Sequence, residues 1–140
     1  MERLGVEMSN PSFVAKTRRM LLVEDEESIR QVLKLLLEPF FDVHTVSDGA
    51  TAEAVFTKRR FDVVFVDYVL PDTNGIQLLR RLRAADPAVR RVITSGWLIP
   101  ELFTLASGGL IHSFVIKPAP IEEIVHACSG PTVRPQRLTL

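Results

Sequence analysis

Residues 61–67 read Phe61-Asp62-Val63-Val64-Phe65-Val66-Asp67, and the fold turns on how this stretch is read. The run is apolar at neighbouring positions, is rich in β-branched and aromatic residues, and stops at a carboxylate. A strand with one wet face would alternate; an unbroken run reads as a strand covered on both sides, as in the parallel sheets of α/β proteins. Outward from it, three more runs have the same character. Met20-Leu21-Leu22-Val23 ends in Glu24-Asp25, Val92-Ile93-Thr94 ends in Ser95, and Phe114-Val115-Ile116 ends in Lys117. Residues 41–46 (FDVHTV) are weaker and partly alternating, which suits an edge strand.

Helical patterns fill the gaps. Ile29, Val32, Leu33, Leu36 and Leu37 recur at helical spacing and stop at Pro39. Ser47-Asp48-Gly49 offers a cap for a helix over residues 50–59, with Ala54 and Val55 expected inward. Ile76, Leu79 and Leu82 mark a third helix after Asn74-Gly75, closing near Asp86-Pro87. Pro100 opens a fourth, which runs to about residue 106 before Gly108-Gly109. Ile121, Ile124, Val125 and Cys128 mark a fifth, stopped by Gly130-Pro131. Five βα units with right-handed crossovers require an α/β, (βα)5 doubly wound parallel sheet, and the flavodoxin-like strand order 2-1-3-4-5 is the expected solution. The expected division is an arm over residues 1–18, flexible or a short extra helix, a domain over 19–130, and a short tail over 131–140. That tail is too short for an attached DNA-binding module.

Bulk properties narrow the function. Of 140 residues, 17 are Lys or Arg and 17 Asp or Glu, so no basic excess collects a polyanion and no direct nucleic-acid partner is expected. No apolar run approaches the roughly 20 residues needed to cross a bilayer, and residues 1–10 lack the apolar core of a secretion signal. The single cysteine, Cys128, forms no internal disulfide, which suits a cytoplasmic location.

In a doubly wound sheet, ligands bind at the carboxyl ends of the strands. The expected strand ends bring Glu24, Asp25, Asp67, Ser95 and Lys117 to one edge. Crowded carboxylates repel unless a cation joins them, and a few hard oxygen donors suit Mg²⁺ rather than zinc. A carboxylate there can attack a phosphoryl donor, with Lys117 and the Ser95 hydroxyl holding the phosphoryl oxygens. Each residue also has a plainer reading. Asp67 fits a turn, Glu24-Asp25 a helix cap, Lys117 a solvated surface and Ser95 the turn before Gly96. Their coincidence at one edge is what favours the site.

The blocks LLVEDEESIR, FDVVFVDYVLPDTNGIQLLRRLR, VITSGW and FVIKP resemble the signature blocks of response-regulator receiver domains, in the family's order and across about residues 19–129. The resemblance implies a single-domain phosphorelay switch, not an enzyme in the ordinary sense. Its phosphodonor would be a sensor histidine kinase or a histidine phosphotransfer protein, and its output a protein–protein contact with a downstream target. It implies Asp67 as phosphoacceptor and Glu24, Asp25, Asp67 and the Val69 backbone carbonyl around Mg²⁺, with Asp25 direct and Glu24 through water. It further implies Ser95 as switch hydroxyl, Phe114 as rotating aromatic, and a cis bond before Pro118. Phe114 fits a buried core position equally well.

Three features depart from the family pattern. Val69 and Trp97, each two residues past a site residue, border the path of the attacking water, and their bulk implies slow self-dephosphorylation. Gly108-Gly109 before the fifth strand implies a mobile loop. The short last helix, followed by Arg134 and Arg137, weakens the case for dimerisation through the face made by the fourth helix, the fifth strand and the fifth helix, so a monomer or weak dimer is expected. Two rival functions stand beside the switch. One is a pseudo-receiver that only binds a partner. The other is a Mg²⁺-dependent hydrolase forming an aspartyl phosphate, which usually carries an acid–base carboxylate close after the nucleophile, where this chain has Tyr68 and Val69.

Overall fold

A computed structural model describes residues 18–130. The expected arm up to residue 17 and the tail with Arg134 and Arg137 lie outside the described residues. Five strands form one parallel sheet: β1 (Arg19–Val23), β2 (Asp42–Val46), β3 (Val63–Asp67), β4 (Arg90–Ser95) and β5 (Ser113–Ile116). Their spatial order is β2-β1-β3-β4-β5, the 2-1-3-4-5 order expected, with β2 at one edge. Register follows from the apolar runs: Met20 stands opposite Val43 and Val63, and Ser95 opposite Ile116.

The helices are α1 (Glu27–Leu37), α2 (Gly49–Phe56), α3 (Gly75–Ala85), α4 (Glu101–Ser107) and α5 (Ile121–Cys128). Side chains alternate across a strand, so each strand feeds two cores. Leu21, Val23, Val64 and Val66 pack with Ala52, Phe56, Leu78, Leu79, Leu82 and Leu102 from α2, α3 and α4. Met20, Leu22, Val63 and Phe65 pack on the other face with Leu37 of α1 and Ile124, Ala127 and Cys128 of α5. The sheet is thus covered on both sides, which is why its strands read as continuous apolar runs.

Two expectations about these elements are corrected. In α2 the inward residues are Ala52 and Phe56, while Ala54 is exposed. The cause is the cap: Asp48 Oδ1 accepts from Thr51 N at 2.7 Å, so the helix begins at Gly49 and its phase turns Ala52 and Phe56, one turn apart, onto the sheet. The helix also stops at Phe56 rather than residue 59. In α1, Val32 and Leu36 are 54% and 46% exposed, not core. The Gly108-Gly109 loop, expected to be mobile, is tied to β4 by hydrogen bonds. The buried Arg91 guanidinium donates to Leu110 O at 2.7 Å and Gly109 O at 3.1 Å, and to Val89 O and Pro87 O on its other side. Gly109 itself sits at φ +85°, where a side chain is disfavoured.

Candidate functional site

The carboxyl ends of β1, β3, β4 and β5 meet at one edge, and the sheet ladder runs on past them. Glu24 N donates to Val46 O at 3.1 Å, Tyr68 N to Thr94 O at 2.8 Å, and Lys117 N to Ser95 O at 2.7 Å. Parallel pairing therefore sets the backbones of Glu24, Asp67, Ser95 and Lys117 side by side, although up to 93 positions separate them in sequence. Carboxylate oxygens of Glu24, Asp25 and Asp67 lie within 4.8 Å of one another. The Lys117 ammonium reaches into this cluster, 3.1 Å from Asp67 Oδ2 and 3.8 Å from Glu24 Oε1. The Lys117–Pro118 peptide is cis, as expected.

The fold crowds like charges at this edge. Glu24 is only 2% exposed and Asp67 7%, while Asp25 faces solvent. Burial pushes the Glu24 carboxyl above its ordinary range, and the Asp67 carboxylate adds to the rise; the Glu26 N–H, 3.0 Å from Glu24 Oε2, and the Lys117 ammonium oppose it. A single ammonium faces three carboxylates. Such a set lacks positive charge and offers only hard oxygen donors, so its chemistry fits a small divalent cation. The Val69 N–H points back toward Asp67 Oδ1 at 3.4 Å, at the edge of hydrogen bonding.

Ser95 and Phe114 stand differently from the acidic residues. Ser95 is buried at the end of β4, but its hydroxyl donates to Trp97 O at 2.7 Å and accepts from Trp97 N at 3.2 Å. The hydroxyl closes its own turn instead of bonding a carboxylate. Phe114 is half-buried against the core and meets Phe103 of α4 edge to face, ring centroids 5.1 Å apart. Val69 and Trp97 are 54% and 60% exposed. His44, His112 and His126 stay outside the acidic cluster, as expected.

Sequence reasoning missed Arg30. From α1 its guanidinium donates to Glu24 O at 2.8 Å and to Asp25 O at 3.3 Å, which fixes the turn that carries the acidic pair. The only signal was an arginine more than a turn beyond that pair.

Comparison with known proteins now identifies the chain. A family model described as the response regulator receiver domain matches residues 20–129. The chain belongs to that family. This receiver domain is similar to the transcriptional regulatory protein TrcR of Mycobacterium tuberculosis, 32% identical over 80% of this chain and 44% of TrcR. It is likewise similar to the virulence transcriptional regulatory protein PhoP of Salmonella typhimurium, 32% identical over 76% of the chain and 48% of PhoP. The chain thus spans about half the length of these curated relatives. Among solved structures, a CheY-like receiver domain from Methylobacillus flagellatus matches with TM-score 0.67 at 31% identity, covering 76% of this chain and 92% of that one. A receiver domain from Clostridium thermocellum matches with TM-score 0.73 at 26% identity, covering 79% and 90%. Receiver domains are signalling modules of two-component systems, generally not classed as enzymes, and switch with phosphorylation. Among the described residues no helix is long and apolar enough to cross a membrane.

Proposed function

We propose that this receiver domain accepts a phosphoryl group on Asp67 from a phosphohistidine of a kinase or phosphotransfer protein and passes the signal on by protein–protein contact. The observation that carries the reading is the Lys117 ammonium, 3.1 Å from Asp67 Oδ2 inside a cluster of three carboxylates at the strand ends. In the transfer, an Asp67 oxygen forms the new P–O bond as the P–N bond to the donor imidazole breaks, and that imidazole keeps the electron pair and takes up a proton. Mg²⁺, held by Asp25, Asp67 and the Val69 carbonyl, with Glu24 acting through water, would supply positive charge to the transferring oxygens.

Lys117 already points at Asp67 and holds one phosphoryl oxygen through a charge-assisted bond. Ser95 must first leave Trp97. A phosphoryl group on Asp67 carries about −1.5 to −2 charge at neutral pH and competes for that hydroxyl. Opening the Ser95–Trp97 turn frees the β4–α4 loop, and Phe114 then leaves its edge contact with Phe103, which alters the α4–β5 surface. Moving such a pair of states from 1:99 to 99:1 takes about 5.5 kcal/mol, within reach of a few charge-assisted bonds.

Acetyl phosphate with Mg²⁺, read by intact mass, should add one phosphoryl group to the wild type and none to Asp67→Asn. Lys117→Ala should slow the reaction by about 10²-fold, the scale of losing one preorganised charge-stabilising donor. No saturable modification of the wild type, with acetyl phosphate or with beryllofluoride, would leave a pure binding module as the function.

A further inference from the structure

We propose that Asp72 is a positioning residue for the acidic site, holding the loop after Asp67 by clasping the first turn of α2. The inference rests on the phosphoacceptor reading of Asp67. Both oxygens of the Asp72 carboxylate are used: Oδ1 accepts from Gly49 N and Oδ2 from Ala50 N, each at 2.9 Å. The partners are 23 and 22 positions away in sequence. α2 already has a cap of its own, since Asp48 accepts from Thr51 N and the Asp48 carbonyl accepts from Ala52 N. A second, distant carboxylate is therefore not needed to start the helix as Asp48 starts it; what it fixes is the loop it comes from.

That loop is short and closed at both ends. Gly75 N donates to Tyr68 O at 2.7 Å, and Val69 and Asn74 form an isolated antiparallel bridge. Asp72 stands at the loop's outer turn, so its clasp sets the height of the whole hairpin above the sheet edge, and with it the direction of the Val69 carbonyl. Packing is tight where the loop meets the helix. A Cβ added at Gly49 would lie 2.6 Å from Thr73 Cγ2, so the loop approaches as closely as glycine permits. Arg81 of α3 braces the same loop, with Nη2 3.4 Å from Thr73 Oγ1 and an ion pair to Glu53 of α2. None of these groups belongs to the acidic cluster; each acts on it through the backbone of residues 68–75.

Supporting groups of this kind typically change metal affinity by about 10- to 100-fold when removed. The test is Mg²⁺ affinity by calorimetry on the full chain, set beside urea unfolding and acetyl phosphate kinetics. Asp72→Ala should weaken Mg²⁺ binding by about tenfold at temperatures where the variant is fully folded, with Asp72→Asn, which keeps one acceptor, in between. Gly49→Ala offers a second route, because it keeps the Asp72 carboxylate but crowds the clasp, its Cβ falling 2.6 Å from Thr73 Cγ2 and 3.3 Å from Asp72 Oδ1; it should also weaken Mg²⁺. It decides the matter if Asp72→Ala gives no cooperative unfolding transition. Wild-type Mg²⁺ affinity in both Asp72→Asn and Gly49→Ala overturns the inference while leaving Asp67 as acceptor. A wild type that neither binds Mg²⁺ nor takes up phosphoryl overturns the underlying reading instead.

Discussion

At the scale of single residues, the site pits function against stability, and Glu24 shows it best. Its carboxyl is 2% exposed and is pushed up by burial and by Asp67, so its charge costs more here than in water. Glu24→Gln keeps the shape and an acceptor for Glu26 N while removing the charge. We expect it to stabilise the metal-free domain by on the order of 1 kcal/mol in urea unfolding and to weaken Mg²⁺ binding. Lower stability of the variant would show that the Lys117 pairing outweighs the crowding. Trp97 makes a second residue-scale case. If its indole and Val69 limit access of water to a phosphoryl group on Asp67, Trp97→Ala shortens the phosphoryl lifetime severalfold, measured by loss of label from purified phosphoprotein. An unchanged or longer lifetime refutes the shielding. Glu24 was legible in the sequence as the residue that ends an apolar run, whereas Trp97 stood out only through the resemblance to receiver domains. Arg30 was not legible, because its partners are backbone carbonyls, and a carbonyl carries no residue identity for a pattern to reveal.

At the scale of elements, the strands were more legible than the helices, for a physical reason. A strand buried on both faces has no phase to mistake, so β1, β3, β4 and β5 could be located from apolar runs alone. A helix must be placed in rotation as well as in position. α2 was found but turned wrongly, since the Asp48 cap determines its phase. α1 was found but its exposed flank was not, since helical spacing marks Val32 and Leu36 as apolar without showing what covers them. The contact that the proposed switch would break also joins two elements: Phe103 on α4 meets Phe114 on β5 edge to face. Edge-to-face pairs contribute about 0.5–1.5 kcal/mol beyond buried area. A double-mutant cycle with Phe103→Leu and Phe114→Leu should give a coupling energy in that range for the unmodified domain, and a smaller one with beryllofluoride and Mg²⁺ bound. A coupling that beryllofluoride leaves unchanged would remove Phe114 from the switch.

At the scale of the whole molecule, the two ends of the sheet do different work. Acidic groups gather at the carboxyl ends of the strands, and at the opposite end Arg91 and His112 tie β4 to the loop before β5. His112 Nδ1 accepts from Arg91 N at 2.9 Å, so the imidazole must be neutral at that nitrogen. Burial, then the Arg91 and Arg90 charges, push its pKa down from 6.5 to about 4. The unfolded chain therefore binds this proton at higher pH than the folded one does. Below both values the folded state is at its full disadvantage, above both there is none, and stability falls as pH drops from about 6.5 toward 4. Glu24, with its pKa raised, acts in the opposite sense, because its native state binds a proton more readily than the unfolded chain. The two are separable by mutation. His112→Asn presents Oδ1 as an acceptor and has no proton to bind, so its urea-unfolding stability should be flatter than that of the wild type between pH 6.5 and 4.5. The same comparison in a Glu24→Gln background should show the same difference, since sites at opposite ends of the sheet add independently. Equal slopes for wild type and His112→Asn would mean that acid sensitivity arises at the carboxylates, and the basic end of the sheet would then be a clasp without a titrating part.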